Sequence, residues 1–448
     1  MSSTSSNSQR PQGMAAFLVI WISQILSVLA SGMSQFALTI WMYQQTKSAT
    51  AMALVNVAFI LPFLLLSPLA GVMIDRHNRK LMMMLSDLAA VIATGGIFLL
   101  YTTGRLEFWH LYVAAALNGI GNTFQWPAYS AAISTMVPKE QLGRVNGLMS
   151  LMEAGPNVFA PMLAGALLPL VGLNGILSID VVTFFLAVGA LAFVVIPQPA
   201  RSAAGAEASG SLLHEALYGF RYIFARPSLL GLQIVFFFGN LFAGIGFAVM
   251  SPMILARTDS NAAVFGFVQS AAGIGGVAGG VLMSAWGGFR RRVYGVLLGW
   301  LISFLGMIVL GASQALPWWV VGAVLTSAVG PLTNASNQAI WQAKVASDVQ
   351  GRVFSARRLI AWFTNPISPI IGGVLADKVF EPAMIHSGTL ASTWSWLVGS
   401  GPGAGMGLVM VLSALIGLMV PVLAYLTPAV RHAETLLPDH DTVTQPAN

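Results

Sequence analysis

The sequence predicts an all-α polytopic membrane protein with twelve transmembrane helices in two pseudo-repeated halves of six, and three observations carry that expectation. Hydrophobic residues make up 56% of the 448 and charged residues only 8%, whereas soluble chains carry roughly 25% charged residues. Twelve apolar stretches separated by short polar breaks each approach the ~20 residues that a helix needs to cross the hydrocarbon core. The basic residues gather in alternate breaks.

In chain order, residues 1–13 form a Ser-rich tail with one Arg, followed by an apolar stretch with no small-residue cleavage site. That pattern fits a first membrane span and not a removable leader. The expected spans of the first half are 16–43, 50–73, 81–101, 109–130, 147–171 and 175–196, inside a bundle at 14–196. Those of the second half are 228–255, 263–285, 293–312, 318–341, 353–376 and 404–427, inside a bundle at 228–428. Residues 429–448 form a C-terminal tail. With a cytoplasmic N-terminus, 17 of the 21 basic residues fall on the inside, and only Lys47, Arg105, Arg257 and Lys378 fall outside. The positive-inside rule therefore places both termini in the cytoplasm of a multi-pass inner-membrane protein.

The break at 197–227 opens with PQPARSAAGAEASGS, a flexible linker by composition. Its second part puts Leu213, Leu217, Phe220 and Phe224 on one helical face, as expected of a helix lying on the inner membrane surface or of a plain connector. The halves also repeat. Residues 140–165 and 348–373 align without a gap, pairing Gly143 with Gly351, Arg144 with Arg352, Asn157 with Asn365, Pro161 with Pro369 and Gly165 with Gly373. A tandem repeat of an even number of spans keeps its orientation, as in transporters whose halves surround a central path.

Amide side chains are costly in lipid and should face protein or a wet cavity. Spans one, four, seven and ten carry Gln24, Gln35, Asn118, Asn122, Gln125, Gln233, Asn240, Asn334, Asn337 and Gln338. Spans two, five, eight and eleven carry one each (Asn56, Asn157, Gln269 and Asn365), while the remaining four carry none. This period of three helices predicts that the first group lines a cargo cavity, joined by Trp126 and other aromatics, or uses its amides as glue between helices. Those spans hold no Asp, Glu, Lys or Arg away from their ends. A phosphorylated or strongly anionic cargo would need a cation there, so a bulky amphiphile with hydroxyls and carbonyls fits better.

Three acids lie within spans: Asp87, Glu153 and Asp180. Asp87 and Asp180 sit near the ends of spans expected at the periphery. Glu153 is nearer mid-membrane, where a carboxylate is costly to keep charged, which makes it the candidate coupling residue or a packing acid. The basic excess of +6 punctuates apolar runs and forms no nucleic-acid patch. The absence of cysteine excludes disulfides, thiolate metal sites and thiol nucleophiles. All six His lie in loops or at span ends, with no HExxH, catalytic triad or Walker motif. No enzyme activity, cofactor or metal is expected.

The loop after span two reads GVMIDRHNRK, and its Gly71, Asp75, Arg76, Arg79 and Lys80 resemble the signature of the major facilitator superfamily, with Asn78 where Gly is usual. A carboxylate at a helix C-terminus is disfavoured by its own dipole, and the resemblance supplies Asp75 with a partner at the start of span eleven, near Arg352. These residues would form a cytoplasmic gate. Ser284 replaces the Asp in the second half. Gly155-Pro156 resembles part of an antiporter pattern, although Phe159 and Ala160 depart from it, and span four lacks the Arg often linked to proton coupling. DRHNRK, WPAYSAAISTMVPKEQLGRVNG and GRVFSARRLI together resemble the macrolide-efflux and enterobactin-exporter branch.

That resemblance implies the major facilitator fold and a monomeric secondary transporter that exports a small amphiphilic drug or natural product by proton antiport and alternating access. A siderophore exporter, an importer of small neutral solutes, and a membrane sensor or scaffold stand as the alternatives. The outer stretch 379–403 exceeds the length expected for that branch.

Overall fold

The computed structural model of the chain describes residues 13–76, 79–136, 142–194, 219–345, 349–385 and 389–437. Every regular element among them is helical. The first five helices are α1 (Gly13–Thr46), α2 (Ala49–Arg76), α3 (Arg79–Thr102), α4 (Phe108–Met136) and α5 (Leu142–Phe193). The 52 residues of α5 cover expected spans five and six, and they break at Gly172, whose φ of 65° lies in the left-handed region that Gly adopts without a steric penalty.

The second half comprises α6 (Pro227–Ala248), α7 (Met250–Arg257), α8 (Ala262–Trp286), α9 (Arg292–Ala312), α10 (Leu316–Ala328), α11 (Gly330–Lys344), α12 (Gln350–Trp362) and α13 (Thr364–Val374). A π-helical turn (Leu375–Phe380), short α14 (Glu381–Met384) and α15 (Ala391–Val398), and then α16 (Ala404–Leu426) follow. The chain closes with α17 (Pro428–Arg431) and α18 (Ala433–Leu436). Each expected span falls on helix, and ten stretches among the described residues are long and apolar enough to cross a membrane. The spans expected seventh, tenth and eleventh are each interrupted, at Val249, Val329 and Phe363. A Pro follows each break within three residues (Pro252, Pro331 and Pro366), and its missing N–H removes one rung of the helical ladder.

By its internal contacts the chain divides into two compact units. One comprises residues to Trp41 and Ala58–Ser202, and the other Met42–Val57 and everything from Ala203. In the first, α3 packs along α4 and α5, and Phe17, Ile20, Met83, Val145, Leu191 and Val194 close a buried cluster at one end. In the second, α9 packs on α10, α11 and α16, while α6 packs on α13 and α16. Trp341 is fully buried there among Ile223, Leu229, Val345 and Val353.

The linker positions Leu213 and Leu217 lie outside the described residues, whereas 219–224 are helical. Ile223 is buried and Phe224 exposed. Span eleven runs on through the π-helical turn to Met384, so part of the long outer stretch is an extension of that span.

Candidate functional site

The expected cavity amides separate into two groups. Gln24 and Gln125 both point at a carboxylate. Gln24 Nε2 donates to Asp87 Oδ2 at 3.3 Å and Gln125 Nε2 donates to Asp87 Oδ1 at 2.7 Å. Asp87 is 2% exposed, so α3, expected at the periphery, turns its acid inward between α1 and α4. Asp180 also faces α1, where its Oδ1 accepts from the Ser31 hydroxyl at 2.9 Å. Its second oxygen is buried without a hydrogen-bond partner. Among its described residues the first unit thus holds two buried acids, each met by a neutral donor from α1.

In the second unit, Gln233 donates to the Arg357 carbonyl at 3.1 Å and Asn240 to the Ala361 carbonyl at 3.4 Å. Asn240 and the Thr364 hydroxyl both reach Ala361 beside the break between α12 and α13, where backbone groups in a membrane need side-chain partners. Asn337 accepts from Trp341 Nε1 at 3.0 Å, and Asn334 donates to the Gly330 carbonyl at 3.1 Å. Gln24, Gln233 and Asn240 thus bond to other helices, while the bond of Asn337 stays within α11. Gln35, Asn122 and Asn334 are exposed, while Asn118, Gln125 and Gln338 are partly so. An exposed amide on a membrane span does not face hydrocarbon at low cost.

The side chains of Trp126, Glu153, Gly71, Asp75, Arg76, Arg79 and Arg352 lie outside the described residues. Lys80, expected at the cytoplasmic gate, donates to the carbonyls of Ala192 at 2.8 Å and Val194 at 2.7 Å. A cation there satisfies the C-terminal carbonyls of α5 and opposes its dipole. In span eight two glycines allow close helix packing. A Cβ on Gly275 would meet the Val324 backbone at 3.0 Å, and one on Gly279 would overlap the Ala328 carbonyl.

Sequence reasoning missed four polar residues in the second unit. Arg357 lies over the Trp341 ring at 5.2 Å and the Phe354 ring at 5.6 Å, with its Nη1 buried and unpartnered. Glu381 accepts from the Gly403 N–H at 2.5 Å and the Met406 N–H at 3.1 Å, capping α16, and Arg257 ties the same region to the carbonyls of Ser313 and Val398. Asp377 receives the first turn of α2. The dipole argument applied to Asp75 would have found it, since it too is an acid at the far end of a span.

A family model described as Major Facilitator Superfamily matches residues 20–369. The chain belongs to the Major Facilitator Superfamily. It is 26% identical over 385 residues to macrolide efflux protein A of Streptococcus pyogenes, covering 84% of this chain and 93% of that protein. It is 24% identical over 327 residues to the enterobactin exporter EntS of Shigella boydii, covering 72% and 75%. The crystal structure of a bacterial homolog of the human lysosomal transporter Spinster shares the fold, with a TM-score of 0.64 at 18% identity over 94% of this chain and 98% of that one. These relatives and this fold are those of transporters and not enzymes, and the chain is a multi-pass membrane protein of that family.

Proposed function

We propose that the protein is a secondary active exporter of a small amphiphilic, hydroxyl-bearing compound of macrolide-like character, working across the inner membrane by proton antiport and alternating access. Two six-helix bundles, 14–196 and 228–428, carry the cycle in a functional monomer with both termini cytoplasmic. The observation that supports this best is a set of exposed amides on otherwise apolar spans, led by Gln35, Asn122 and Asn334. Amides offer a donor and an acceptor each without charge, which suits a bulky neutral surface of hydroxyls and carbonyls. The names of the relatives point the same way: one is a macrolide efflux protein and the other an exporter.

Cargo recognition falls to Gln35, Asn118, Asn122, Gln125, Trp126, Asn334 and Gln338, while Gln24, Gln233 and Asn240 tie their spans to neighbouring helices and Asn337 holds Trp341 within its own helix. Gly71, Asp75, Arg76, Arg79, Lys80 and Arg352 form the cytoplasmic gate. Glu153 is the coupling carboxylate in the first reading, because of its place near mid-membrane. A second reading assigns coupling to Asp87, and a specific observation favours it: its two partners, Gln24 and Gln125, lie on spans assigned to the cargo path. An ionised Asp87 takes both amide donors, whereas a protonated one needs an acceptor and would turn an amide around. Proton binding would then reverse the polarity that Gln125 offers to cargo.

Cells expressing the protein should accumulate less erythromycin than empty cells, and a protonophore should abolish the difference. Equal accumulation with and without the protein would refute export of this class. A difference in accumulation for an enterobactin-type siderophore with none for erythromycin would move the assignment to the siderophore alternative.

A further inference from the structure

The export reading leaves unused a contact at the far end of span eleven. Asp377 sits in the π-helical turn after α13. Its Oδ2 accepts the Ser48 hydroxyl at 2.5 Å and the Thr50 N–H at 2.8 Å, while its Oδ1 accepts the Ala49 N–H at 2.9 Å. Ala49 and Thr50 open α2, where the orphan N–H groups and the positive end of the dipole favour an anion. Ser48 already provides a local cap, since its hydroxyl accepts the Ala51 N–H at 3.1 Å. The helix therefore begins correctly without Asp377, and Asp377 would lie more favourably at the other end of its own span.

Gly373 completes the contact. A Cβ there would stand 2.7 Å from Thr50 Cα, closer than side chains approach backbone, so only Gly lets α13 lie directly against the start of α2. One further observation gives the contact a direction. Residues Met42–Val57 group with the second unit, whereas the rest of α1 and α2 groups with the first. Both helices thus run from one unit into the other, and Asp377 holds their shared turn within the second.

We propose that Asp377 and Gly373 form a releasable clasp on the α1–α2 turn, made in one state of the transport cycle and broken in another. The inference rests on the transporter reading. A contact that served stability alone would have no need of the α1–α2 turn, which the sequence repeat assigns to the other half. The clasp also mirrors the proposed cytoplasmic gate. Asp75 at the end of span two is expected to meet the start of span eleven, and Asp377 at the end of span eleven meets the start of span two. If Asp75 makes the proposed gate contact, the two helices exchange carboxylates at opposite membrane faces, and one contact opens as the other closes.

The chain has no cysteine, which allows a direct test. In the double variant Ser48→Cys with Asp377→Cys, oxidation to the cross-linked form should reduce erythromycin export at least about tenfold, the order expected when one population is locked, and a reductant should restore it. Undiminished export by fully cross-linked protein would overturn the proposal, because a permanent contact tolerates a permanent bond. A second measurement needs no cargo. With Thr50→Cys in purified protein in nanodiscs, a bulky maleimide should react about tenfold faster when Asp377→Ala is added, the order expected from losing charge-assisted hydrogen bonds. Asp377→Asn, which keeps one acceptor, should fall between. Equal labelling rates across these variants would overturn the proposal even if the parent exports no erythromycin.

Discussion

Asp87 offers the most direct probe of how the first unit is built. It is buried, and its two oxygens take the amide donors of Gln24 at 3.3 Å and Gln125 at 2.7 Å. Asp87→Leu keeps the approximate volume and removes both acceptors. Gln24 is 5% exposed and has nowhere to turn for water, so its stranded donor carries the full penalty for an unmade buried hydrogen bond, about 1–3 kcal/mol. Gln125 is only half-buried and recovers part of its loss, which puts the total near 2–4 kcal/mol. Asp87→Asn retains one acceptor and should cost about 1 kcal/mol. Tryptophan-fluorescence melts of purified protein should therefore rank parent above Asn above Leu. The same Asn variant is permanently uncharged at this position. If Asp87 carries the coupling proton, it keeps downhill exchange of erythromycin and loses export against a gradient. A Leu variant that melts with the parent would refute the hydrogen-bond accounting. Uphill export by the Asn variant at the parental rate would refute the coupling role.

Glu153→Gln makes the complementary test: under the first coupling reading it binds erythromycin but does not export it uphill, and parental proton-driven export would remove Glu153 from that role. Asp75→Ala should insert normally, as judged by membrane yield, and lose most transport, because only a state-specific contact at the cytoplasmic gate is gone; normal transport by a well-expressed variant would refute it. Asn122→Leu and Asn334→Leu should each weaken erythromycin binding about tenfold, as expected of one lost polar contact in a desolvated site, and unchanged binding by both would sink the amide-lined path. Gly279→Ala should lower the melting temperature through its clash with the Ala328 carbonyl, a cost of about 1–3 kcal/mol, whereas Gly276→Ala, whose nearest neighbour would be 4.0 Å away, should not; equal melting of the two would contradict the packing assigned to span eight.

Helix positions were legible from hydrophobicity because lipid imposes a single requirement on every span. The π-helical extension of span eleven was not, since polar Asp377, Lys378 and Glu381 end the apolar run there while the backbone continues as helix. Within the site, the period-three pattern sorts the helices by whether they carry amides. It could not say which amides face outward. Gln24 and Gln35 lie on one stripe of α1, yet Gln24 is drawn to Asp87 while Gln35 is exposed. That difference depends on an acid 63 positions along the chain, and periodicity within one helix carries no information about it. Asp87 itself looked peripheral because counting placed it near the end of a helix in the amide-free class.

The central claim is that a proton gradient moves an uncharged or weakly charged amphiphile through amide-lined spans. It is tested most directly by erythromycin uptake into proteoliposomes of the purified chain with an imposed pH gradient, acid inside, against protein-free vesicles that register passive trapping of the drug. The account predicts uptake above the protein-free level, accompanied by outward proton movement and abolished by a protonophore. Uptake equal to that of protein-free vesicles, or unaffected by collapse of the gradient, would contradict it.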